Sequence, residues 1–126
     1  MPTRRQEKVA RVIREVVSDV IANRLSDPRI TGFVSVTRVE VMADLRSAEV
    51  YLSIFAADES AQDRSFAAIT HARSRIQSFL AEALESKFCP VLRFHEDEQF
   101  RKTLEVMKLI DQVASERQSK DTEPHE

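Results

Sequence analysis

Glycine is almost missing from this 126-residue chain: Gly32 is the only one. P-loops and dinucleotide-binding fingerprints need several glycines, because the backbone itself must approach the phosphates. Both are excluded. Cysteine is as scarce. Cys89 alone cannot form an internal disulfide, which suggests a reducing compartment and a cytoplasmic protein. There is no run of about 18 apolar residues, so no membrane-spanning helix is expected. The start, "MPTRRQEKVARVIREV", is basic but lacks the apolar stretch of a secretory signal. A strong charge of one sign is absent too, the formal net charge being −2. Its distribution is uneven: residues 1–94 hold 14 Lys and Arg against 12 Asp and Glu, whereas residues 95–126 hold 5 against 9. The body is mildly basic and the tail acidic.

What is present suits one soluble domain, with 42% apolar and 32% charged residues. Its organising stretch is Arg64 to Phe94. There Phe66, Ile69, Ala72, Ile76, Phe79, Leu80, Ala83 and Leu84 recur every three or four positions, the period of a buried helical stripe. Ala72-Arg73-Ser74 sits in the middle. Cys89-Pro90 stops the helix, since proline cannot continue it, and Val91 to Phe94 is short and strand-like.

Upstream, Val9, Val12, Ile13, Val16, Val17, Val20 and Ile21 define an amphipathic helix from Arg4 to Leu25. Its opposite face gathers Arg4, Lys8, Arg11 and Arg14, with Glu7 and Glu15 cancelling part of the field. Two readings fit: an ordinary solvated face, or a footing for a phosphate backbone. From Phe33 to Met42 the valines change parity between Val36 and Val39, which requires a β-bulge near Thr37-Arg38. Ala43 to Arg46 is a turn closed by Asp44. Ala48, Val50, Leu52 and Ile54 then alternate with polar and aromatic residues, completing an antiparallel hairpin. Ala56 to Asp63 reads as a polar loop. After Phe94, "HEDEQ" reads as a helix start, and Phe100, Leu104, Met107, Ile110 and Val113 form a further stripe. Residues 115–126 contain no apolar residue, so a domain over 1–114 with a disordered acidic tail is expected. The order is α-β-β-α-α-β-α. A two-helix crossover returning parallel to the hairpin gives an α+β domain, with a three-stranded sheet and helices on one face.

Chemistry-bearing residues are few. His95-Glu96-Asp97-Glu98 are consecutive and cannot all face one ion, so a charged helix cap is the better reading than a metal site. Cys89 with His71 or His95 lacks a positioned third group, and beside a proline it reads as a buried small residue. No residue set supplies nucleophile, base and stabiliser together, so no enzyme, metal or cofactor is expected.

Three pieces carry a resemblance. They are the first helix with Arg4-Arg5 and Val9-Ala10, then "LSDPRITGFVSVTRVEVMADLRSAEVYLSIF" from Leu25 to Phe55, and "CPVLRFHED" from Cys89 to Asp97. Over roughly residues 4–112 the chain resembles the ribosome-binding factor A family. The resemblance implies a type II KH-like fold, in which a kink of alanine, any residue and glycine replaces the nucleotide-clamping GxxG loop of typical KH domains. Here the kink reads Ala72-Arg73-Ser74. Serine can bond a nearby carbonyl but adopts left-handed geometry less readily than glycine.

The implied function is assembly of the small ribosomal subunit. Such a factor binds free or immature 30S subunits and 16S rRNA, promotes late maturation and 5′-end processing, acts in cold adaptation and cooperates with assembly GTPases. A monomer with no membrane contact is expected. The RNA contacts are expected from Arg4, Arg5, Lys8 and Arg11 on the first helix, and from Arg29, Arg38 and Arg46 near the hairpin. Arg73 and Arg75 at the kink and Arg93 on the last strand complete the set. The alternative is a non-enzymatic protein-interaction module using the hairpin face around Tyr51 and Phe55.

Overall fold

The structure, a computed structural model, describes residues 1–84 and 89–121; for residues 100, 101, 103, 104 and 116–121 it describes the backbone alone. The first helix, α1 (Arg4–Asp19), begins with a reciprocal cap. Gln6 N–H donates to Thr3 Oγ1 at 3.2 Å, and Thr3 N–H donates to Gln6 Oε1 at 2.8 Å. Two otherwise unpaired amides are satisfied in this way. α1 does not stay regular to Leu25. Its end, Val20–Arg24, widens into a π-helical turn that closes with Leu25 N–H on Val20 O at 2.9 Å. Ile13, Val17, Val20 and Ile21 are buried. Each contributes roughly 1.5–3 kcal/mol on burial, well above the few tenths of a kcal/mol by which β-branched residues disfavour a helix. Burial wins.

Strands β1 (Phe33–Val41) and β2 (Ser47–Phe55) pair antiparallel, and the register slips between Val36 and Arg38. Thr37 is the extra residue of the expected bulge. Its carbonyl accepts from Arg14 Nη2 at 3.3 Å, and its hydroxyl donates to Asp97 Oδ2 at 2.6 Å. The slip lets Val34 and Val36 on one side, and Val39 and Val41 on the other, all pack against the same core.

α2 (Glu59–His71) starts earlier than the polar composition suggests, because Asp58 accepts from Ala61 N–H at 2.7 Å and caps it. α3 (Arg73–Leu84) follows after the single residue Ala72. Ile69, Ile76 and Leu80 are fully buried, while Ala83 at the end of the predicted stripe is exposed. The crossover delivers β3 (Val91–Glu96) parallel to β2, giving a three-stranded sheet in the order β1-β2-β3. α1, α2 and α3 lie on the face that carries Val36, Val50, Leu52 and Leu92. This is the expected α+β architecture. β3 takes in His95 and Glu96 as strand residues, so the acidic helix start expected here falls later, with Glu98 in the first turn of the helix that follows.

α4 (Glu98–Asp121) departs most from expectation. Among the described side chains of its apolar stripe, Met107, Ile110 and Val113 are 56, 61 and 50% exposed. Among the described side chains, α4 meets β2 through a cation. Lys108 Nζ stands 5.7 Å from the centre of the Phe55 ring, a cation–π contact. Phe100 and Leu104, also in that stripe, lie outside the described side chains. The helix runs on past Ser115 through the first part of the segment expected to be disordered, since extending a nucleated helix is cheap; residues 122–126 lie outside the described residues. Because the last described side chains here are exposed, a chain ending at Ala114 should unfold within about 2 °C of the full chain by circular dichroism. A larger fall would mean that the acidic end packs on the domain.

Candidate nucleic-acid interface

The ten cationic residues expected to meet RNA fall into three groups. The first is built at one end of the domain. Gln6, besides capping α1, donates through Nε2 to Val41 O at 3.0 Å, fastening the start of the helix to the end of β1. The turn that follows is held by Met42 N–H on Ser47 O at 3.0 Å and Leu45 N–H on Met42 O at 2.9 Å. Asp44 Oδ1 accepts from Arg46 N–H at 3.0 Å. Leu45 is left-handed, with φ of 60°. Between α1, this turn and the end of α3 opens a cavity of about 500 Å³ whose wall carries Arg5, Lys8 and Arg46. Two residues of the first helix and one from the hairpin turn thus share a concave surface. Arg4 and Arg11 are exposed on the same helix, four and three residues from Lys8, and extend the basic surface along it.

The second group surrounds the kink. Ala72 has φ −85° and ψ 8°, and its N–H reaches Ala68 O and Ile69 O at 3.1 Å each. Ala72 O accepts from Arg75 N–H at 3.0 Å and Ile76 N–H at 3.1 Å, so helical bonding passes through the bend. Among the described residues only Gly32 and Leu45 have positive φ. Serine in place of glycine therefore costs nothing in backbone geometry here. The bond described at Ser74 involves its carbonyl, which accepts from Ser78 Oγ at 3.2 Å. Arg73 and Arg75 are exposed beside a second concavity of about 500 Å³, formed by the 25–29 loop with Ala72 and Arg75. That loop is tied to α2 by buried Ser65, whose hydroxyl accepts from Thr31 N–H and lies 3.2 Å from Arg29 O.

Arg29 is not a spare cation. Its Nη2 lies 2.6 Å from Asp27 Oδ2, and its Nε also donates to that carboxylate. The side-chain bond from Arg29, aided by its backbone N–H, lowers the Asp27 carboxyl from 3.8 to about 2. A depressed carboxyl stabilises the paired loop above its unfolded value, and that contribution is lost as pH falls through the folded one. The Asp27 side-chain carbon resonance should accordingly titrate with a midpoint of about 2. A midpoint near 3.8 would show that the pair does not persist in solution.

The third group lies on the other face of the sheet. Arg38 stacks 4.0 Å above the Tyr51 ring, with Nε 3.3 Å from Glu40 Oε1. Arg93 Nη1 is 3.8 Å from Glu49 Oε1, and the same carboxylate binds His95 Nε2. The His95 ring in turn stacks on Tyr51 with centroids 5.1 Å apart. Charge here is balanced within the protein. Tyr51 and Phe55, the hairpin residues proposed for a protein partner, are covered in part by Arg38, His95 and Lys108. Cys89 is half-buried against Gln77, and burial pushes its thiol up, the opposite of an activated nucleophile.

Gln6 and Leu45 were not singled out from sequence, although both shape the basic end. The spacing Thr3-x-x-Gln6 was a readable signal for the first.

Comparison with known proteins places the chain in a family. The ribosome-binding factor A profile matches residues 5–110. The chain belongs to the ribosome-binding factor A family. A ribosome-binding factor A from Thermomicrobium roseum is 37% identical over 118 residues, covering 94% of this chain and 90% of that protein. One from Clostridium perfringens is 31% identical over 109 residues, covering 86% and 94%. Among solved structures, the solution structure of a Thermotoga maritima ribosome binding factor A superposes with a TM-score of 0.65 at 28% identity, covering 77% of this chain and 91% of that one. Coordinates of the Thermus thermophilus factor, fitted into a cryo-electron-microscopy map of a 30S–RbfA complex, give 0.54 at 25% identity, covering 67% and 86%. The family is thus one of ribosome-binding factors, and the fold here is the family's. Among the described residues no helix is long and apolar enough to cross a membrane.

Proposed function

We propose that the protein is a cytoplasmic, non-enzymatic assembly factor of the small ribosomal subunit. It binds free and immature 30S subunits through 16S rRNA. The observation that carries this reading is the meeting of Arg5, Lys8 and Arg46 on one concave surface, continued by Arg4 and Arg11 along α1, in a chain of this family. Clustered cations on one side of a nearly neutral protein bind a phosphate backbone by releasing its counterions. Arg73 and Arg75 form a second point of contact at the kink. Arg29, Arg38 and Arg93, each facing a carboxylate, contribute less. Late maturation and 5′-end processing of 16S rRNA, the part in cold adaptation and the cooperation with assembly GTPases belong to the same reading, and rest on family membership.

The direct test is sedimentation of tagged protein with cell lysate through sucrose gradients at rising salt. Migration with free 30S subunits, lost progressively as salt rises, is the expected result. Protein that stays at the top of the gradient at low salt would replace this reading with a protein-interaction module.

A further inference from the structure

The cavity at the basic end is more than a charged surface. Its three cations stand around an apolar wall made by Val9 of α1, Leu45 of the turn and Leu84 at the end of α3. Phosphate contacts alone need no such wall, since they are made on open surfaces. A concavity of about 500 Å³ with an apolar lining and a few placed polar groups is what encloses a flat organic ring. One acidic side chain is present, and it is oriented. Asp44 Oδ1 is held by Arg46 N–H at 3.0 Å, which leaves Oδ2 to accept from a ligand.

Leu45 supplies the sharper observation. It occupies a left-handed backbone position, φ 60°, where glycine or asparagine would sit with less strain. The leucine there packs in part against the core and also puts a branched apolar side chain on the cavity wall, at a conformational cost.

We propose that this cavity receives one unpaired nucleotide of an RNA strand. Its base lies against Val9, Leu45 and Leu84, its phosphates meet Arg5, Lys8 and Arg46, and Asp44 accepts a hydrogen bond from an exocyclic amino group. Cytosine, adenine and guanine carry such a group and uracil does not. The inference rests on the RNA-binding reading above and adds to it a requirement for an unpaired base and a bias against uridine. A base in a duplex is stacked and paired, with its ring faces unavailable to Leu45.

The test is fluorescence anisotropy with labelled hexanucleotides: oligocytidine, oligouridine, and a self-complementary duplex of matched length. The wild-type protein is compared with Leu45→Gly and Asp44→Asn. Leu45→Gly removes the wall side chain; the relief of left-handed strain offsets the core packing that Leu45 gives up, and the melting curve checks that the domain stays folded. The expected results are tighter binding of oligocytidine than of the duplex and a loss of about fivefold or more for oligocytidine with Leu45→Gly. The salt dependence should not change, because the cations remain. Asp44→Asn should reduce or reverse the preference over oligouridine.

Equal binding of single strand and duplex, or an unchanged Leu45→Gly, overturns the nucleotide site and leaves the electrostatic reading standing. Wild-type protein that binds neither RNA removes the RNA-binding reading itself. Cytidine monophosphate competing as well as the hexanucleotide would make the occupant a free nucleotide and overturn its assignment to a strand.

Discussion

Replacing Gly32 with alanine should cost the protein about 3–5 kcal/mol, a large part of the roughly 5–15 kcal/mol that holds a domain of this size together. Two effects add. Gly32 has φ of +81°, which penalises any residue with a Cβ by roughly 1–2 kcal/mol. The second effect is steric. A Cβ built there lies 1.8 Å from the carbonyl oxygen of Phe55, 2.8 Å from its carbonyl carbon and 3.0 Å from the Cα of Ala56. All three are backbone atoms, so no side-chain rotation relieves the contact. Either the entry to β1 or the exit of β2 must move, breaking the Phe33–Phe55 end of the ladder. Urea unfolding with an unchanged slope and a lower midpoint would measure the loss. Gly32→Asn separates the two effects, because asparagine tolerates left-handed backbone but carries the same Cβ. It should be nearly as damaging as alanine. A loss below about 1 kcal/mol for either variant would mean that the strand ends yield easily.

That single glycine also explains how the chain can be so poor in glycine and still turn tightly. Among the described residues the other left-handed one is Leu45, where nothing in the residue type announces the geometry. Local signals were legible where one residue type admits one explanation. The parity change between Val36 and Val39 left a bulge as the only way to keep four valines on one face, and the register confirms it at Thr37. The stripe of α1 was legible for the same reason. The π-helical turn at Val20–Arg24 was not, because shifting one hydrogen bond from i−4 to i−5 leaves the run of apolar residues unchanged.

Long-range pairing was the other blind spot. Periodicity marks Met107, Ile110 and Val113 as one apolar face, but it does not say that anything lies against that face, and here nothing described does. In the candidate site, Arg5 and Lys8 were visible as neighbours on a helix. Their meeting with Arg46 depends on the Gln6–Val41 bond and on the conformation of a turn more than thirty residues away. The Arg38–Glu40 pair was readable in principle, since residues two apart on a strand share a face. Arg93–Glu49 was not, because it needs the β2–β3 register.

This distinction between free and paired cations sets the largest expected effect on binding. The triple variant Arg5→Glu, Lys8→Glu and Arg46→Glu should lower affinity for the 30S subunit by about 100-fold or more near physiological salt. Each lost phosphate contact should also flatten the plot of log affinity against log salt by about 0.9, or nearly 3 in all. The fold should survive. Arg5 and Lys8 are exposed, and the described hydrogen bonds of Arg46, donated by its N–H to Asp44 and accepted by its carbonyl from Val91 N–H at 2.9 Å, are made by its backbone. A contrasting variant is Arg38→Gln with Arg93→Gln, a smaller change in charge, which removes two cations that already face Glu40 and Glu49. Neutralising a paired cation frees its carboxylate but takes little net attraction from a phosphate backbone, so the slope should change by less than about 1. Equal losses from the two variants would mean that the sheet face carrying Arg38 and Arg93 meets the RNA at least as closely as the basic end does. A triple variant that binds as tightly as the wild type would move the interface away from the basic end, to Arg73 and Arg75 at the kink or to Arg4 and Arg11 further along α1.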